Sequence, residues 1–515
     1  MKGVVPVLTG EQSRELDRIA IQEEGIPSLG LMERAAEGVA HAVEELLAKG
    51  ASSQVGALCG PGNNGGDGIA AAAILLERGY RVRAFLVGKR EKMTPDARAM
   101  EQRLNQAGGR LEDFEGDSRD QRAWLEDCGC LVDALFGVGL SRPLAGDALA
   151  AVALLQSRAG CPVVACDLPS GIHADTGKVL GAAVTAQVTV TFTTAKPGHY
   201  LEEGAEHTGE LTVVDIGIPM SLLNRLCAPE APFLSRVIGP LGLPRRPRNS
   251  HKGTYGRVFL LAGSRGFTGA PVLAAQGAVR SGAGLVFLGV PEDIYPIVAV
   301  KCNSPMPFPL PEEDEAVLNR AMGCDVAVVG PGLGRGERSD RLVRLLLERL
   351  TCPVVLDADG INALAGHIDS LDHRTGVTVL TPHDGEFARL TGCSLPLENR
   401  LEQARDFART HRCVLVLKGH RTITAAPDGR AWINTTGNPG MSKGGSGDVL
   451  AGILGSLLAQ KPLAGAGWTA AELAAAGVYL HGQAGDQAAR MVGEYGMTPD
   501  DLLARLPGTI EGQVE

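Results

Sequence analysis

The sequence is poor in aromatic residues, in positive charge and in long apolar runs. Phe, Trp and Tyr make up 4% of its 515 residues. No stretch approaches the roughly 18 consecutive apolar residues expected of a membrane-spanning helix. The 49 Lys and Arg are outnumbered by 59 Asp and Glu, which gives a formal net charge of −10. These shortages argue against a membrane protein and against a nucleic-acid partner. A nucleic acid could bind only through a local basic groove.

Metal-type cysteine pairs and an export signal are also missing. The 11 cysteines include no C-x-x-C pair, and neither Cys128-Gly-Cys130 nor Cys161 with Cys166 has zinc spacing. We therefore expect small buried thiols in a reducing compartment. Residues 1–17 lack a charged segment followed by an apolar one. The sequence predicts a cytoplasmic protein that acts on small molecules. A homo-oligomer is possible, and the sequence does not determine the oligomeric state.

Glycine is abundant, and short Val-rich runs alternate with Ala- and Leu-rich segments. The chain has 68 glycines, roughly 13% against an average of about 7%. After an acidic opening helix, at roughly 10–49, the strand-like runs of the first half are 54–60, 81–88, 130–137, 161–171, 188–192 and 210–217. Such alternation predicts a mostly parallel sheet with helices on both faces.

A proline-rich segment divides the chain. Residues 228–250 contain five prolines and no helical period. Strand-like runs then resume at 257–263, 284–290, 325–330, 353–359, 376–382 and 413–419. The Gly-rich loops of the two halves are spaced differently, so we see no internal repeat. We predict two unlike α/β domains, 1–227 and 251–515, joined by a linker at 228–250.

The loop after the first strand is typical of a nucleotide-binding turn. Residues 60–65, Gly-Pro-Gly-Asn-Asn-Gly, match G-x-G-x-x-G between a strand and a helix, which makes a Rossmann dinucleotide site the first hypothesis. The glycines would let the backbone approach a phosphate at the helix N-terminus. The acidic residue expected about 20 positions later is absent, because Gly-Lys-Arg occupies 88–90. A merely tight turn remains an alternative.

Oxygen-bearing side chains follow several of these strands. Asp133 ends one strand, Asp167 and Ser170 follow another, and Asn64 and Asp67 lie in the first loop. The carboxyl ends of parallel strands meet at one crevice. Amide, carboxylate and hydroxyl oxygens suit a hard cation better than zinc. Asp133 alone could instead cap a helix.

The three segments GPGNNGGDG, VDALFGVGLSRP and DLPSG, in that order, resemble the NAD(P)HX epimerase domain. This family interconverts the two epimers of hydrated NADH or NADPH, in which water has added to the nicotinamide ring. The resemblance implies a Rossmann-like, doubly wound domain with K⁺ at Asn64, Asp133 and Ser170, and a catalytic Asp167 at the reacting ring. The substrate-binding residues that it implies are Asn63, Asn64, Gly65, Gly66, Asp67, Gly137, Val138, Gly139, Leu140, Ser141, Arg142, Pro143 and Asp167.

A second Gly-rich loop, 434–448, precedes a long apolar helix. Gly444, Gly445 and Gly447 free the backbone to form an anion hole at the helix start. Asp448 falls in the first turn, where we expect the helix dipole to keep its carboxylate ionised as a base. An N-cap role for Asp448 is the simpler alternative. The loop is not a Walker A motif, since G-x-x-x-x-G-K-[ST] does not occur.

This loop resembles those of ribokinase-like α/β proteins, and the motifs at 251–264, 330–336, 381–386 and 417–422 together resemble ADP-dependent NAD(P)HX dehydratases. The resemblance implies that ADP is a co-substrate, with Mg²⁺ expected beside it, and that Asp448 is the catalytic base. Substrate contacts would come from Gly334, His383, Asp384, Gly385, Glu386, Phe387 and Asp448. Nucleotide contacts would come from Lys418, Gly419, His420, Arg421, Thr422, Ser442, Lys443, Gly444, Gly445, Ser446 and Gly447.

Several of these residues also have simpler interpretations. Asp384 departs from the family loop, where we expect proline, so its role is open. His383 and His251 could be satisfied loop histidines. Asp357 and Asp359 could only cap the following helix.

Together the motifs predict a bifunctional NAD(P)H-hydrate repair enzyme that epimerises both hydrates of NADH or NADPH and dehydrates the S hydrate. Two alternatives come from other classes: a fused vitamin-type kinase, and a dinucleotide-binding module without catalysis. The three carboxylates Asp67, Asp133 and Asp167 speak against the module, because phosphate binding alone would not place them there.

Overall fold

A computed structural model describes residues 1–50, 52–157, 160–226 and 233–515. The chain divides into two compact units, Pro6–Pro229 and Met1–Val5 together with Glu230–Glu515, called here the N-terminal and C-terminal units. Within the described residues, no helix is both long and apolar enough to cross a membrane.

The first part of the chain alternates strands and helices as the sequence predicts. Its elements are β1 Val4–Val7, α1 Gly10–Arg18, a π-helical turn Ile19–Glu23, α2 Ser28–Leu47, β2 Gln54–Cys59, α3 Asn63–Glu77, β3 Arg81–Leu86, α4 Pro95–Gln106, β4 Leu111–Asp113, α5 Arg119–Glu126, β5 Cys130–Ala134, α6 Asp147–Ser157, β6 Val163–Cys166, β7 Val188–Phe192, α7 Gly204–His207, β8 Glu210–Val214 and α8 Leu223–Leu226.

The N-terminal sheet is parallel and doubly wound. Its order is β4-β3-β2-β5-β6-β7-β8, and every pairing is parallel. From β2 the chain continues to β3 and β4 towards one edge of the sheet, and from β5 it continues to β6, β7 and β8 towards the other edge. The topological switch point therefore lies between β2 and β5. Ligands of such sheets bind outside the carboxyl ends at that point. All residues of β2 and β5 are buried, which fits sequences that are apolar apart from Gln54 and Asp133.

The predicted opening helix is two helices. Glycine at Gly25, with φ near +71°, and Pro27 at the N-cap of α2 interrupt it, because neither conformation continues an α-helix. A π-helical turn, Ile19–Glu23, directly follows α1.

The C-terminal unit has the same alternation with a longer sheet. Its remaining elements are β9 Leu234–Val237, β10 Arg257–Leu261, α9 Gly269–Arg280, β11 Leu285–Val290, α10 Tyr295–Lys301, β12 Met306–Pro309, α11 Asp314–Met322, β13 Val326–Val329, α12 Glu337–Arg349, β14 Val354–Leu356, α13 Asp359–Asn362, β15 Thr378–Leu380, α14 Asp384–Thr391, α15 Arg400–Thr410, β16 Val414–Leu417, β17 Ile423–Ala425, β18 Ala431–Ile433, α16 Ser446–Ala459, α17 Lys461–Gly465, α18 Ala470–Val492 and α19 Pro499–Glu511.

This sheet has eleven strands in the order β1-β9-β18-β17-β16-β15-β14-β13-β10-β11-β12. The pairings from β12 across to β16 are parallel, and β17 is antiparallel to both its neighbours. The loops after β13, β14, β15 and β16 therefore leave the sheet at one edge, which is where the predicted ligand loops begin. Helix α16 packs its apolar residues against α9 and the sheet.

Part of the predicted linker belongs to the sheet. Leu234–Val237 forms β9, which pairs in parallel with β18, so residues 233–250 are not a free connection. Residues 227–232 lie outside the described residues. Sequence analysis missed this strand because it has only four residues and lies in a segment rich in prolines. The domain boundaries predicted at 227 and 250 thus differ from the division at Pro229.

Candidate active sites

The N-terminal unit contains a cavity of about 480 Å³ at the carboxyl ends of its central strands. It lies at the switch point between β2 and β5. Most of its wall is apolar, as in many small-molecule sites. Its polar and charged side chains are Ser13, Arg14, Asp17, Ser28, Asn63, Asn64, Asp67, Asp96, Asp167, Thr193, Thr194 and Lys196.

The loop after β2 uses its glycines mainly for close packing. A Cβ on Gly65 would lie 1.7 Å from the carbonyl oxygen of Gly60, and one on Gly60 would lie 2.1 Å from that of Leu135. Gly62, at the N-cap of α3, has open space around its Cα. The glycines thus fold the loop tightly against its neighbours, and Gly62 with Asn63 borders the cavity.

Asp133, Ser170 and Asn64 border one loop, residues 135–138. The hydroxyl of Ser170 donates to Asp133 Oδ1 at 2.6 Å, and its backbone N–H donates to Asp133 Oδ2 at 2.8 Å. Phe136 N–H donates to Ser170 Oγ at 3.0 Å. Burial raises the pKa of Asp133 to about 6, although the Ser170 hydrogen bonds oppose this. Its carboxylate is therefore engaged and does not cap a helix.

Asn64 is the unsatisfied member of this group. Both side-chain atoms, Oδ1 and Nδ2, are buried and have no hydrogen-bond partner in the part of the chain that the structure describes. A Cβ on Gly137 would lie 3.3 Å from Asn64 Oδ1 and 2.6 Å from Asp167 Oδ2, so little space separates the two side chains. A buried amide without partners is costly, and a bound cation or ligand would relieve that cost. The donor set of amide, hydroxyl and carboxylate oxygens fits a hard cation.

Asp167 is held by a buried lysine. Lys196 Nζ donates to Asp167 Oδ1 at 2.6 Å and to Thr191 Oγ1 at 2.8 Å. The hydroxyl of Thr191 donates to the same carboxylate oxygen at 3.0 Å, and Val138 N–H donates to Oδ2 at 3.2 Å. Burial alone would raise the pKa of Asp167, but the Lys196 ammonium outweighs it and lowers that pKa below its usual range. Asp167 is therefore a carboxylate.

The backbone at Asp167 is also fixed. Its φ is near +64°, which non-glycine residues rarely adopt. His199 Nδ1 accepts from Lys196 N–H at 2.9 Å, so its Nε2 carries the proton and donates to the Asp167 carbonyl at 2.7 Å. Burial lowers the pKa of His199 to about 4, which keeps the ring neutral. Strained backbone held by its surroundings is typical of functional positions.

Two further carboxyls in this cavity behave differently from Asp167. Burial, together with Asp167 and Asp17, raises the pKa of Asp67 well above its usual range. Asp17 is exposed at the cavity, and desolvation by the protein atoms around it, opposed by Lys196, raises its pKa to about 6. The cavity therefore contains both an ionised carboxylate and carboxyls that hold protons near neutral pH.

Most of the predicted N-terminal residues meet at this cavity. Those that line it are Asn63, Asn64, Asp67, Gly137, Val138, Gly139, Leu140 and Asp167. Gly65, Gly66, Ser141, Arg142 and Pro143 are outside its lining. Sequence reasoning missed Asp17, Lys196 and His199. Lys196 follows β7, so the rule that polar residues cluster after parallel strands could have found it, whereas no motif marks Asp17.

In the C-terminal unit, Asp448 is the third residue of α16 and is half-buried. Gly445 forms the N-cap with φ near +100°, a conformation that favours glycine, and Gly444 has open space around its Cα. Burial and the neighbouring Asp357 raise the pKa of Asp448 to about 7, against the effect of Lys418. The expectation that the helix dipole keeps this group ionised stays a prediction, and desolvation acts against it.

Lys418 connects the loops around Asp448. Its Nζ donates to Asp357 Oδ1 at 2.8 Å and lies 3.8 Å from Glu386 Oε2. A Cβ on Gly447 would lie 3.4 Å from the same nitrogen, so the ammonium borders the Gly-rich loop. Burial would lower the pKa of Lys418, but Asp357 and Glu386 raise it. The ammonium is a fixed positive charge beside the predicted phosphate loop.

The loop 383–387 begins helix α14. The ring of His383 accepts from the backbone N–H groups of Gly385 and Glu386 at 3.0 and 3.3 Å, so it caps the helix. Arg400 donates to Asp384 Oδ1 at 3.1 Å and to the Lys418 carbonyl at 3.0 Å. The unexpected Asp384 thus pairs with an arginine that also holds the 418 loop.

Three other predicted residues are engaged with protein atoms. Gly334 N–H donates to Asp359 Oδ2 at 2.8 Å, so Asp359 holds that loop and does not cap α13. Lys443 Nζ donates to the carbonyls of Tyr495 and Met497 at 2.8 and 2.6 Å. Behind the Gly-rich loop, His481 Nε2 donates to the Ser446 carbonyl at 2.9 Å and was not predicted.

Four more residues named in the sequence analysis have defined surroundings in the C-terminal unit. His251 also serves as a cap, since its ring accepts from Gly253 N–H at 3.1 Å. Phe387 is buried in α14. The hydroxyl of Thr422 donates to the Gly419 carbonyl at 3.1 Å. Arg421 has a φ near +62° and donates to the Thr435 carbonyl at 2.9 Å. Contacts of these residues with a ligand stay predictions.

Comparison with known proteins assigns both units. The family described as NAD(P)H-hydrate dehydratase matches residues 258–508, and the one described as YjeF-related protein N-terminus matches residues 28–198. The chain is similar to the bifunctional NAD(P)H-hydrate repair enzyme of Moorella thermoacetica, with 43% identity over 97% of this chain and 96% of the relative. The corresponding enzyme of Thermofilum pendens is 38% identical over 96% and 94%.

A solved structure is also similar to this chain. It is the ADP/ATP-dependent NAD(P)H-hydrate dehydratase from Bacillus subtilis, co-crystallised with ATP and Mg²⁺. The sequence identity is 32% and the TM-score is 0.46, and the match covers 53% of this chain and 95% of that chain.

Proposed function

The chain belongs to the bifunctional NAD(P)H-hydrate repair enzymes, and from this membership we propose how its two units divide the reaction. The N-terminal unit interconverts the R and S hydrates of NADH and NADPH. The C-terminal unit dehydrates the S hydrate back to the reduced nucleotide with ADP. The observation that carries the assignment of residues is the placement of Asp167 and Asp448, each at the carboxyl edge of its sheet within a cluster of charged groups.

In the N-terminal unit, we propose that the hydrate enters the cavity beside Asp167. Asn63 and the N-terminus of α3 would bind its phosphates, because helix N-termini attract anions. The ring nitrogen expels the hydroxyl group, and water then adds to the opposite face of the same carbon. Asp167, ionised through Lys196, exchanges a proton with the reacting oxygen.

Asn64, Asp133 and Ser170 would hold a potassium ion. The support is the buried Asn64 amide without partners, beside a carboxylate and a hydroxyl on the same loop. When bound, the ion would supply positive charge that offsets the carboxylates of the cavity.

In the C-terminal unit, we propose that Asp448 removes the proton of the ring hydroxyl. That oxygen attacks the terminal phosphorus of ADP, the bond from this phosphorus to the AMP oxygen breaks, and AMP leaves. The C–O bond then breaks with loss of phosphate, a ring carbon loses a proton and the nicotinamide double bond returns. Lys418 and the 444–447 backbone stabilise the negative charge of the transferred group.

No residue set is assigned to Mg²⁺. The described ranges contain no group of three His, Cys, Asp or Glu side chains able to hold a metal ion, and Asp357 and Glu386 already face Lys418. Nucleotide phosphates supply most magnesium ligands in many such sites. The cytoplasmic location and a homo-oligomer stay predictions from the sequence.

The direct test supplies both NADPH hydrate epimers to the protein with ADP and potassium and follows the absorbance of NADPH. We expect full recovery of NADPH with ADP, and exchange of the epimers without recovery when ADP is omitted. Recovery that stops at the share of one epimer would contradict the epimerase assignment. A stable phosphorylated product without NADPH would favour the vitamin-type kinase, and ligand binding without either reaction would favour the binding module.

Gly137→Ala is expected to lower kcat/KM of epimerisation by about 100-fold, because a displaced reacting group can cost that much. The added Cβ would lie 2.6 Å from Asp167 Oδ2. Gly139→Ala in the same loop is the matched variant, since a Cβ there meets nothing within 4 Å. The measurement is the rate of R-to-S conversion by chromatography without ADP. Equal losses in both variants would mean that the loop, and not the space beside Asp167, sets the rate.

A further inference from the structure

Asp17 faces the N-terminal cavity from α1, and no motif assigns it a role. Among the described residues it has no hydrogen bond or ion pair, although it lines the same cavity as Asp167. Its neighbour Leu16 is buried, so α1 is anchored while Asp17 remains accessible. The helix changes to a π-helical turn at Ile19, and such turns are frequent at functional sites.

Asp167 cannot serve as both partners in proton exchange. Its carboxylate accepts hydrogen bonds from Lys196, Thr191 and Val138, and the lysine charge keeps it ionised. A carboxylate fixed in this way can accept a proton but has none to give. The departing hydroxyl of the hydrate needs a proton donor, so a second group must supply that proton.

We propose that Asp17 is the proton donor of the N-terminal site and that the ion pair of Asp167 with Lys196 is the proton acceptor. This inference rests on the epimerase function proposed above. The charged groups that share the cavity with Asp17 are Arg14, Asp67, Asp96, Asp167 and Lys196. Arg14 donates to the Val138 carbonyl at 3.1 Å.

The proton inventory balances over one turnover. When the C–O bond breaks, the lone pair of the ring nitrogen forms a C=N bond, and the departing hydroxide takes the proton of Asp17 to become water. Water then attacks the opposite face, the C=N electrons return to nitrogen, and the surplus proton passes to Asp167. Exchange with solvent through the open cavity restores both groups. The opposite epimerisation runs through the same steps in reverse, starting from the form in which Asp167 carries the transferred proton and Asp17 is ionised.

The pKa values of the two carboxyls agree with this division. Desolvation raises the pKa of Asp17 to about 6, opposed by Lys196 and supported by Asp167, while Lys196 lowers the pKa of Asp167. Environments that separate the pKa values of two neighbouring carboxyls are a mark of acid and base roles. Asp17 must be protonated to act, so the epimerisation rate is expected to fall as the pH rises through about 6.

Asp17→Asn tests the assignment. We expect kcat of epimerisation to fall by about 100-fold or more, with KM nearly unchanged, because a general acid contributes that much to the rate. The decline of the wild-type rate above a pH of about 6 should disappear in the variant. Asp17→Glu should restore part of the rate. Glu11→Gln, an exposed acid on the same helix, is the matched control and should equal wild type.

Three results separate the possible explanations. Wild-type protein that fails to interconvert purified R and S hydrates would overturn the proposed function itself. With active wild type, an Asp17→Asn rate within about threefold of it would overturn this inference alone, since it falls far below a general-acid effect. A large loss in Asp67→Asn together with a normal Asp17→Asn rate would also overturn it and transfer the donor role. Dehydration of the S hydrate reports only that the C-terminal unit is folded, so the thermal unfolding of each variant is compared with wild type to show that the N-terminal unit is folded as well.

Discussion

Asp448→Asn is expected to abolish dehydration of the S hydrate, lowering kcat by about 1000-fold, while epimerisation continues at the wild-type rate. The amide has nearly the same size as the carboxyl but cannot take the proton of the ring hydroxyl. Asp448 is half-buried and near Lys418 and Asp357, so no water-exposed base can replace it without rearrangement. The measurement is the initial rate of NADPH formation from purified S hydrate with saturating ADP.

The pH dependence of the same rate distinguishes a base from a merely structural acid. Burial and Asp357 raise the pKa of Asp448 to about 7, and only its deprotonated form can accept a proton. The rate of dehydration should therefore rise as the pH increases through about 7. Asp500→Asn, at an exposed position of α19, is the control and should retain this profile. A residual Asp448→Asn rate of more than a tenth of wild type would contradict the base role, given the usual contribution of such groups.

The fold of both units could be predicted from the sequence because each central strand is buried on both faces. Strands such as β2 and β13 are almost entirely apolar in sequence. This pattern is typical of strands that are covered on both faces. Sequence analysis missed the short strands β4 and β12, each at the edge of its sheet, and β1, β9, β17 and β18 at the end of the second sheet opposite β12. β17 and β18 have three residues each and pair as a hairpin, and Asp428-Gly429 marks the turn between them. Gly429 has a φ near +87°, so the turn signal was present but the flanking runs were too short to stand out.

The candidate sites were only partly predictable for a different reason. Sequence motifs report contiguous loops, whereas the charge of a carboxyl depends on groups that are distant in the chain. Lys196 determines the ionisation of Asp167, and Asp357 raises the pKa of Asp448. Neither partner lies in the motif of the residue that it controls. Asp448 lies in the first turn of α16 as the sequence predicts, but the desolvation that raises its pKa depends on the folded chain.

Asp384 shows how a departure from a family motif can be accommodated. As the first residue of α14, its negative charge is favourable at the helix N-terminus. It also pairs with Arg400, which donates to the Lys418 carbonyl. The pair is partly exposed, with 13% of the Arg400 side chain and 41% of the Asp384 side chain accessible, so its contribution to stability is small. Its effect is to connect the 383–387 loop with the 418–422 loop.

Asp167→Asn should eliminate epimerisation, with a decrease in kcat of about 1000-fold, and leave the dehydration of purified S hydrate unchanged. The asparagine keeps the shape of the side chain, but it carries no charge to pair with Lys196 and cannot accept a proton from water. With a mixture of epimers and ADP, NADPH recovery should stop at the share of the S hydrate. Asp147→Asn, at an exposed position of α6, is the control and should permit full recovery.

Lys196→Met extends this test to the ion pair. Without the ammonium, burial raises the pKa of Asp167, so the carboxyl becomes protonated at a pH where the wild type is ionised. The acid side of the epimerisation profile should then move to higher pH, and Lys196→Arg should move it back because the guanidinium restores the positive charge. A rate loss in Lys196→Met without any shift of the profile would mean that the lysine supports the fold of the loop and does not set the charge of Asp167. Asp167→Asn removes the proton acceptor, whereas Lys196→Met keeps the acceptor and removes its ionisation. Comparison of these two variants separates the two effects, which a single substitution at Asp167 cannot do.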